Sequence, residues 1–438
     1  MYLEKVKLHN YRCYEELEVD FHKQLTVIVG KNGSGKTTIL EATAIALGTW
    51  FVGFNNISGK GIDKTTDPLR KAYSVGSTDD VQPQFPVEIE ADGKIEEVDV
   101  NTIHWKRAIN RSKGTMTTKD AKEIVEYASK YQKALSEGRT DVILPIVAYY
   151  GTGRLWDYHR QKKTNIFQVS SRTNGYIDSL DGTANVKLMM EWFQNMTITQ
   201  YQRQEEKLDP IPELETVYLA METLITKLTG YQNVKARYSM STREIDIYYT
   251  DENQQRMRMP LNQMSDGYKG IISLIADIAY RLATLNPQLG TDILKKGTGI
   301  ILIDEVDLHL HPAWQQKVLN NLMTIFPKLQ FIVTTHAPAV INSVQAENLR
   351  ILNHGEITMP GNEIYGKDVN SVLKEIMGTN ERPEEVSELF KTFYKCLVEK
   401  KYDEAQAILD ELDKKRQYHD PEIARCRVKL KLEVMRGK

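Results

Sequence analysis

Gly30-Lys31-Asn32-Gly33-Ser34-Gly35-Lys36-Thr37 decides how this chain folds. The stretch fits GxxxxGK[ST] and stands between a continuous apolar run, Leu25 to Val29, and a segment from Lys36 to Leu47 whose Ile39, Ala42, Ile45 and Ala46 share one helix face. Buried strand, glycine turn and helix in that order make a phosphate cradle. The glycines let backbone amides turn inward around phosphates, and the helix N-terminus adds the positive end of its dipole. Lys36 is then the cation for the terminal phosphates and Thr37 the hydroxyl ligand of Mg²⁺. Gly30, Asn32, Gly33, Ser34, Gly35 and Thr38 line the rest of an ATP site.

A phosphate loop needs a second strand to complete its metal site. Gly299-Ile300-Ile301-Leu302-Ile303-Asp304-Glu305 is an apolar strand ending in two carboxylates. Asp304 suits Mg²⁺, held through water. Glu305, one residue on and pointing elsewhere, is the candidate to orient or deprotonate the attacking water. A third core strand, Gln330 to Thr334, follows a helix that begins near Pro312.

Outward from these motifs, alternating strands fill residues 2 to 30, and residues 50 to 85, rich in Gly, Asp, Ser and Thr, read as an irregular insertion. Val87 to Ala108 reads as strand, Lys119 to Ser136 as helix, and the chain returns to the sheet at Val142 to Tyr149. Helices fill 186 to 229. Two alternating strands joined near Asp251 span 233 to 259, and a helix starts after Ser265, which is a good N-cap. From Asp368 onward the chain reads as helix, with apolar positions such as Val386, Leu389, Phe390 and Phe393 amid dense charge. A hairpin of that kind either caps its own domain or docks a partner.

The 438 residues carry a net charge of −2, so no global basic field holds the molecule on nucleic acid or an anionic membrane. Three scattered cysteines, Cys13, Cys396 and Cys426, build neither a disulfide framework nor a zinc site, which fits a cytoplasmic protein. No apolar run approaches membrane-spanning length, and no signal-peptide pattern opens the chain. Local basic stretches are the candidate surface for DNA or RNA. Trp105 to Arg139 holds nine Lys/Arg against four Asp/Glu, with Trp105, Tyr127 and Tyr131 as stacking groups, and Arg154 to Arg172 holds five against one. His309 and His311 after Asp307 are read as a turn meeting a partner subunit, and no metal beyond Mg²⁺ is expected.

Asp304-Glu305 after its strand and Thr334-Thr335-His336 after the next resemble the Walker B and switch-histidine segments of ABC-type ATPases. Met264-Ser265-Asp266-Gly267-Tyr268 resembles that family's signature motif. Asp266 and the opening Leu8-His9-Asn10-Tyr11-Arg12 are similar to the branch that holds RecF and the SMC-type proteins. The resemblance implies an α/β fold: an ABC-type P-loop head with a mixed central sheet, residues 1–49 and 142–365, carrying a helical signature-bearing subdomain at about 186–296. An α/β insertion at 50–141 and a helical extension at 366–438 complete it. It further implies that Ser265 and Gly267 close over the γ-phosphate of the opposite subunit, that His336 acts with Glu305, and that Arg12 approaches the nucleotide. No Q-loop glutamine follows the strand ending at Tyr149; Tyr150-Gly151-Thr152-Gly153-Arg154 stands there.

The interval from Thr37 to Ser265 lacks heptads for coiled-coil arms, and the residues after His336 lack the acidic cluster of a Toprim nuclease. With Glu305-Val306-Asp307-Leu308-His309-Leu310-His311-Pro312 and the helical tail, the whole chain resembles the ATPase subunits of the Septu anti-phage system. That resemblance implies a homodimer or higher oligomer with a partner HNH-type nuclease from the same operon. The alternative is a RecF-like repair ATPase that binds DNA itself.

Overall fold

The computed structural model describes residues 1–75, 78–95, 101–155, 171–182, 186–251, 253–361, 364–378, 382–415 and 421–436. They fall in two units, Met1–Lys367 and Asp368–Lys438. In chain order the first unit contains β1 (Tyr2–Tyr11), β2 (Tyr14–Asp20), β3 (Leu25–Gly30), α1 (Lys36–Leu47), β4 (Arg70–Val75), β5 (Thr78–Pro83), β6 (Val87–Lys94), β7 (Ile103–Ile109), α2 (Lys122–Ser136) and β8 (Ile146–Tyr150). There follow α3 (Val186–Glu205), α4 (Pro212–Thr229), β9 (Gln232–Ser239), β10 (Glu244–Thr250), β11 (Arg256–Pro260), α5 (Asp266–Leu285), α6 (Ile293–Lys296) and β12 (Gly299–Ile303). The unit closes with α7 (Pro312–Ile325), β13 (Leu329–Thr335), α8 (Pro338–Ile341), β14 (Leu349–Asn353) and β15 (Glu356–Thr358).

The central sheet runs β15-β14-β3-β13-β12-β8, parallel except for the antiparallel edge strand β15. Every residue of β3, β8, β12 and β13 is buried, as continuous apolar runs in a covered parallel sheet require. A second, antiparallel sheet, β2-β1-β6-β7, alternates buried and half-buried positions along β6. Gln330 on β13 stitches the two sheets: its amide donates to the Leu3 carbonyl and accepts from the Leu3 amide, each at 2.7 Å. Residues 87–109 thus complete the sheet begun by the N-terminal strands.

Two expectations are corrected. Residues 50 to 85 are not wholly irregular, because β4 and β5 pair as an antiparallel hairpin. Every residue of β5 is exposed, so no hydrophobic alternation marked it. Residues 232 to 260 form three strands, with an extra turn at Met240–Arg243 that has neither glycine nor proline; the turn near Asp251 joins β10 to β11.

The second unit contains α9 (Val369–Glu375), α10 (Glu384–Val398), α11 (Tyr402–Lys415) and α12 (Pro421–Arg436). Phe390, Phe393 and Leu397 of α10 pack with Ala405, Leu409 and Leu412 of α11 and with Ile423, Cys426 and Leu430 of α12. It has its own core. Among the described residues no helix is long and apolar enough to cross a membrane.

Candidate nucleotide site

β3 delivers the phosphate loop and α1 leaves it. Gly35, at the N-terminus of α1, has φ 100°, and a Cβ there would lie 2.2 Å from the Tyr14 Oη and 2.9 Å from the Cys13 Sγ. Glycine is required both by the left-handed backbone and by the close approach of the β1–β2 turn. Tyr14 also donates to the Ser34 carbonyl at 3.2 Å, so this turn braces the loop from the side. The Lys36 Nζ is folded into the loop, donating to the Gly30 and Lys31 carbonyls at 2.7 and 2.9 Å. Burial lowers the Lys36 pKa, against the opposing pull of the Glu305, Asp304 and Asp307 carboxylates.

Thr37 and Asp304 meet. The Thr37 hydroxyl donates to one Asp304 oxygen at 2.8 Å, and Thr334 donates to the other at 2.5 Å. Asp304 is 1% exposed. A buried carboxylate beside a threonine hydroxyl is a hard-oxygen donor pair that suits Mg²⁺, so Thr37 and Asp304 are the residues that would hold it. An ion held there would supply positive charge to phosphate oxygens. Glu305 follows with φ 46°, a left-handed turn, and its amide donates to Thr334 at 2.8 Å. The His336 Nδ1 lies 3.9 Å from the Glu305 carboxylate and makes no hydrogen bond. Thr335 donates to Asp307 at 2.5 Å. Thr334 and Thr335 therefore fix the Asp304 and Asp307 carboxylates in the turn after β12, a role that the sequence did not show.

The signature-like segment opens α5. Ser265 occupies the N-cap position and is exposed, but its side chain makes no capping bond, contrary to the expectation that it caps the helix. Gly267 is buried, and a Cβ there would lie 2.5 Å from the His309 carbonyl, so only glycine allows this approach. Tyr268 packs edge-on against Trp314 with ring centroids 4.1 Å apart. These contacts hold the start of α5 against the loop that follows Glu305. His311 accepts from the Ala313 amide at 3.2 Å and so caps α7, while His309 is exposed. Among the described residues no group of three or more His, Cys, Asp or Glu is placed to hold a further metal ion.

Arg12 sits beside α1, ion-paired with Glu41 and donating to the buried Asp67 at 2.8 Å. The basic stretch from Trp105 to Arg139 is less available than its composition suggests. Trp105 is a core residue, not a stacking group: it is 1% exposed and its indole donates to the Ala46 carbonyl at 2.9 Å. Tyr131 packs edge-on to Trp50, Lys106 pairs with Glu88 and Glu90, and Arg139 pairs with Asp141. Most of the second basic stretch, residues 156–170, lies outside the described residues.

A family model described as an AAA domain matches residues 5–229, about half of the chain. The chain belongs to this family of ABC-type ATPases. A second AAA-domain model, whose description also names an AbiEii toxin and a type IV TA system, matches residues 151–342 of this ABC-type ATPase. It is 30% identical over 439 residues to the "Retron Ec83 probable ATPase" of Escherichia coli, covering 87% of this chain and 77% of the other. It is 27% identical over 449 residues to the "Retron Vc95 probable ATPase" of Vibrio cholerae, covering 91% and 84%. With the Septu protein PtuA of Bacillus thuringiensis it shares 25% identity over 400 residues, covering 86% and 85%.

Proposed function

We propose that this chain is the ATP-switched regulatory subunit of an anti-phage defence complex, closing head-to-tail as a homodimer on ATP-Mg²⁺ and controlling a partner nuclease. The observation that carries the reading is the pairing of Thr37 with Asp304 in one chain that also exposes an uncommitted Ser265 hydroxyl at the N-terminus of a long helix. One chain supplies phosphate loop and metal ligands; the helix terminus, rich in free amides, suits a γ-phosphate brought by a second copy. Within the closed site Glu305 orients the attacking water, and His336, close to Glu305, meets the γ-phosphate.

The relatives named as retron and Septu proteins support the defence setting. The RecF-like alternative asks the chain itself to hold DNA, and it loses one of its three candidate stacking groups with Trp105 in the core. The test is to co-express the adjacent reading frame with this chain. The pure chain with ATP-Mg²⁺ should leave DNA intact. Cleavage should appear only with the neighbouring protein, expected to be of HNH type, and should become uncoupled from ATP when residues 383–438 are deleted. Cleavage by the pure chain, abolished by one of its own acidic substitutions, overturns the reading.

A further inference from the structure

Beneath the site lies a charged cluster that the chemistry above does not use. Tyr150 ends β8, and its carbonyl accepts at 2.8 Å from the amide of Asp304, the residue whose carboxylate would hold the metal. Its hydroxyl donates to the Asp277 Oδ2 at 2.7 Å, and the same oxygen accepts from the Arg281 Nε at 2.7 Å. Arg281 also donates to the Gly175 and Ile177 carbonyls, each at 2.9 Å. Tyr150, Asp277 and Arg281 are each at most 2% exposed. Burial opposes the charge on Arg281, yet Asp277 and Tyr150 raise its pKa above the ordinary value; burial and Asp277 together raise that of Tyr150, so it remains the donor.

Asp277 and Arg281 belong to α5, the helix whose first residues follow Ser265. A buried ion pair is poor value as a stabiliser, because apolar residues of equal volume generally do as well or better; its best-attested use is to fix register. Here the Asp277 Oδ1 accepts no hydrogen bond, so the cluster is not even optimised for stability. It does join the metal-bearing strand end to the one helix that carries the signature-like segment, at the place where no Q-loop glutamine stands.

Resting on the dimer reading above, we propose that Tyr150, Asp277 and Arg281 are positioning residues that key α5 to the end of β8, so that nucleotide held at Thr37 and Asp304 sets the pose of Ser265 toward the second subunit. None of the three touches nucleotide.

The test compares Tyr150→Phe and the triple variant Tyr150→Phe/Asp277→Leu/Arg281→Met with the chain otherwise unchanged, all three carrying Glu305→Gln; that otherwise unchanged chain is the wild type of the comparison. Three quantities are measured: ATP-Mg²⁺ affinity at monomeric concentration, the ATP concentration for half-dimerisation by sedimentation, and the thermal midpoint. The triple variant removes the buried charges together, so it folds without an orphaned ion. We expect monomer affinity within about threefold of wild type in both variants, and half-dimerisation shifted at least about tenfold upward in ATP. Dimerisation curves that superimpose on wild type overturn the inference alone. So does a triple variant that is as stable as wild type or more so and closes normally. A wild-type chain that stays monomeric at saturating ATP overturns the dimer reading and this inference with it.

Discussion

The Thr37 hydroxyl donates to the Asp304 carboxylate at 2.8 Å, joining residues 267 positions apart in the chain. The start of the helix after the phosphate loop and the turn after β12 are thereby held together where a divalent ion would bind. Asp304→Asn keeps one acceptor oxygen where Asp304 offers two, so it can accept from Thr37 or Thr334 but not both, and it removes the negative charge. The Mg²⁺ concentration for half-maximal ATPase should rise at least about tenfold, with the fold intact by circular dichroism. An unchanged Mg²⁺ titration would remove Asp304 from the metal site.

Glu305→Gln separates binding from turnover. Glu305 already sits in the left-handed region, and glutamine meets the same backbone strain, so stability should change little. ATP affinity should persist while turnover falls about 10²- to 10⁴-fold, the range for losing a positioned general base. Lys36→Ala should instead lose most of the binding, because Lys36 is the cation of the loop. Equal loss of both quantities in Glu305→Gln would mean that Glu305 also holds the metal.

Gly35→Ala tests the phosphate loop against its brace. The φ of 100° costs an alanine about 1 to 3 kcal/mol, and its Cβ would overlap the Tyr14 hydroxyl. Adding Tyr14→Ala removes that overlap but leaves the Cys13 Sγ 2.9 Å from the new Cβ, and it leaves the backbone strain. Measured against Tyr14→Ala alone, to discount the loss of a buried tyrosine, the double variant should still be less stable and bind ATP weakly. A double variant as stable as Tyr14→Ala in urea unfolding would show that Tyr14 alone demands the glycine.

Lys36 predicts a pH dependence. Burial lowers its pKa in the free chain, so its ammonium gives up the proton at a lower pH than an exposed lysine does. Phosphate oxygens favour the charged form and raise the pKa again. ATP binding should therefore take up protons on the alkaline side, and affinity should weaken as pH rises through the free-chain value. Calorimetry in two buffers of different ionisation enthalpy reads the uptake directly. No difference between buffers at alkaline pH would mean that Lys36 stays charged throughout.

The strand, loop and helix at residues 25 to 47 were legible because each carries a strong local signal: an unbroken apolar run, glycines at fixed spacing, and a helical period. So was β12, although its distance along the chain from the motif cannot show that Asp304 after it meets Thr37 in space. The β4–β5 hairpin was hidden because β5 buries nothing and so has no alternation to read. Trp105 was misread although the signal was there: on β7 it shares the buried face with Ile103, two residues away, and period-two alternation outranks the basic residues around it. The roles of Thr334 and Thr335 depend on β12 and β13 lying side by side, which no single segment encodes.

Composite sites in a head-to-tail dimer are the central claim, and mixing two inactive variants tests it most directly. Lys36→Ala removes the phosphate-loop cation, and Ser265→Arg blocks the α5 N-terminus that would face the second subunit. Each alone should be inactive. In a symmetric dimer with one of each, one site pairs the intact Lys36 of the first subunit with the intact Ser265 of the second. An equimolar mixture should therefore recover up to about a quarter of wild-type ATPase activity, since half of the dimers are mixed and each of those has one good site. A mixture as inactive as its two components, under conditions where sedimentation shows that the variants co-assemble, would contradict the account.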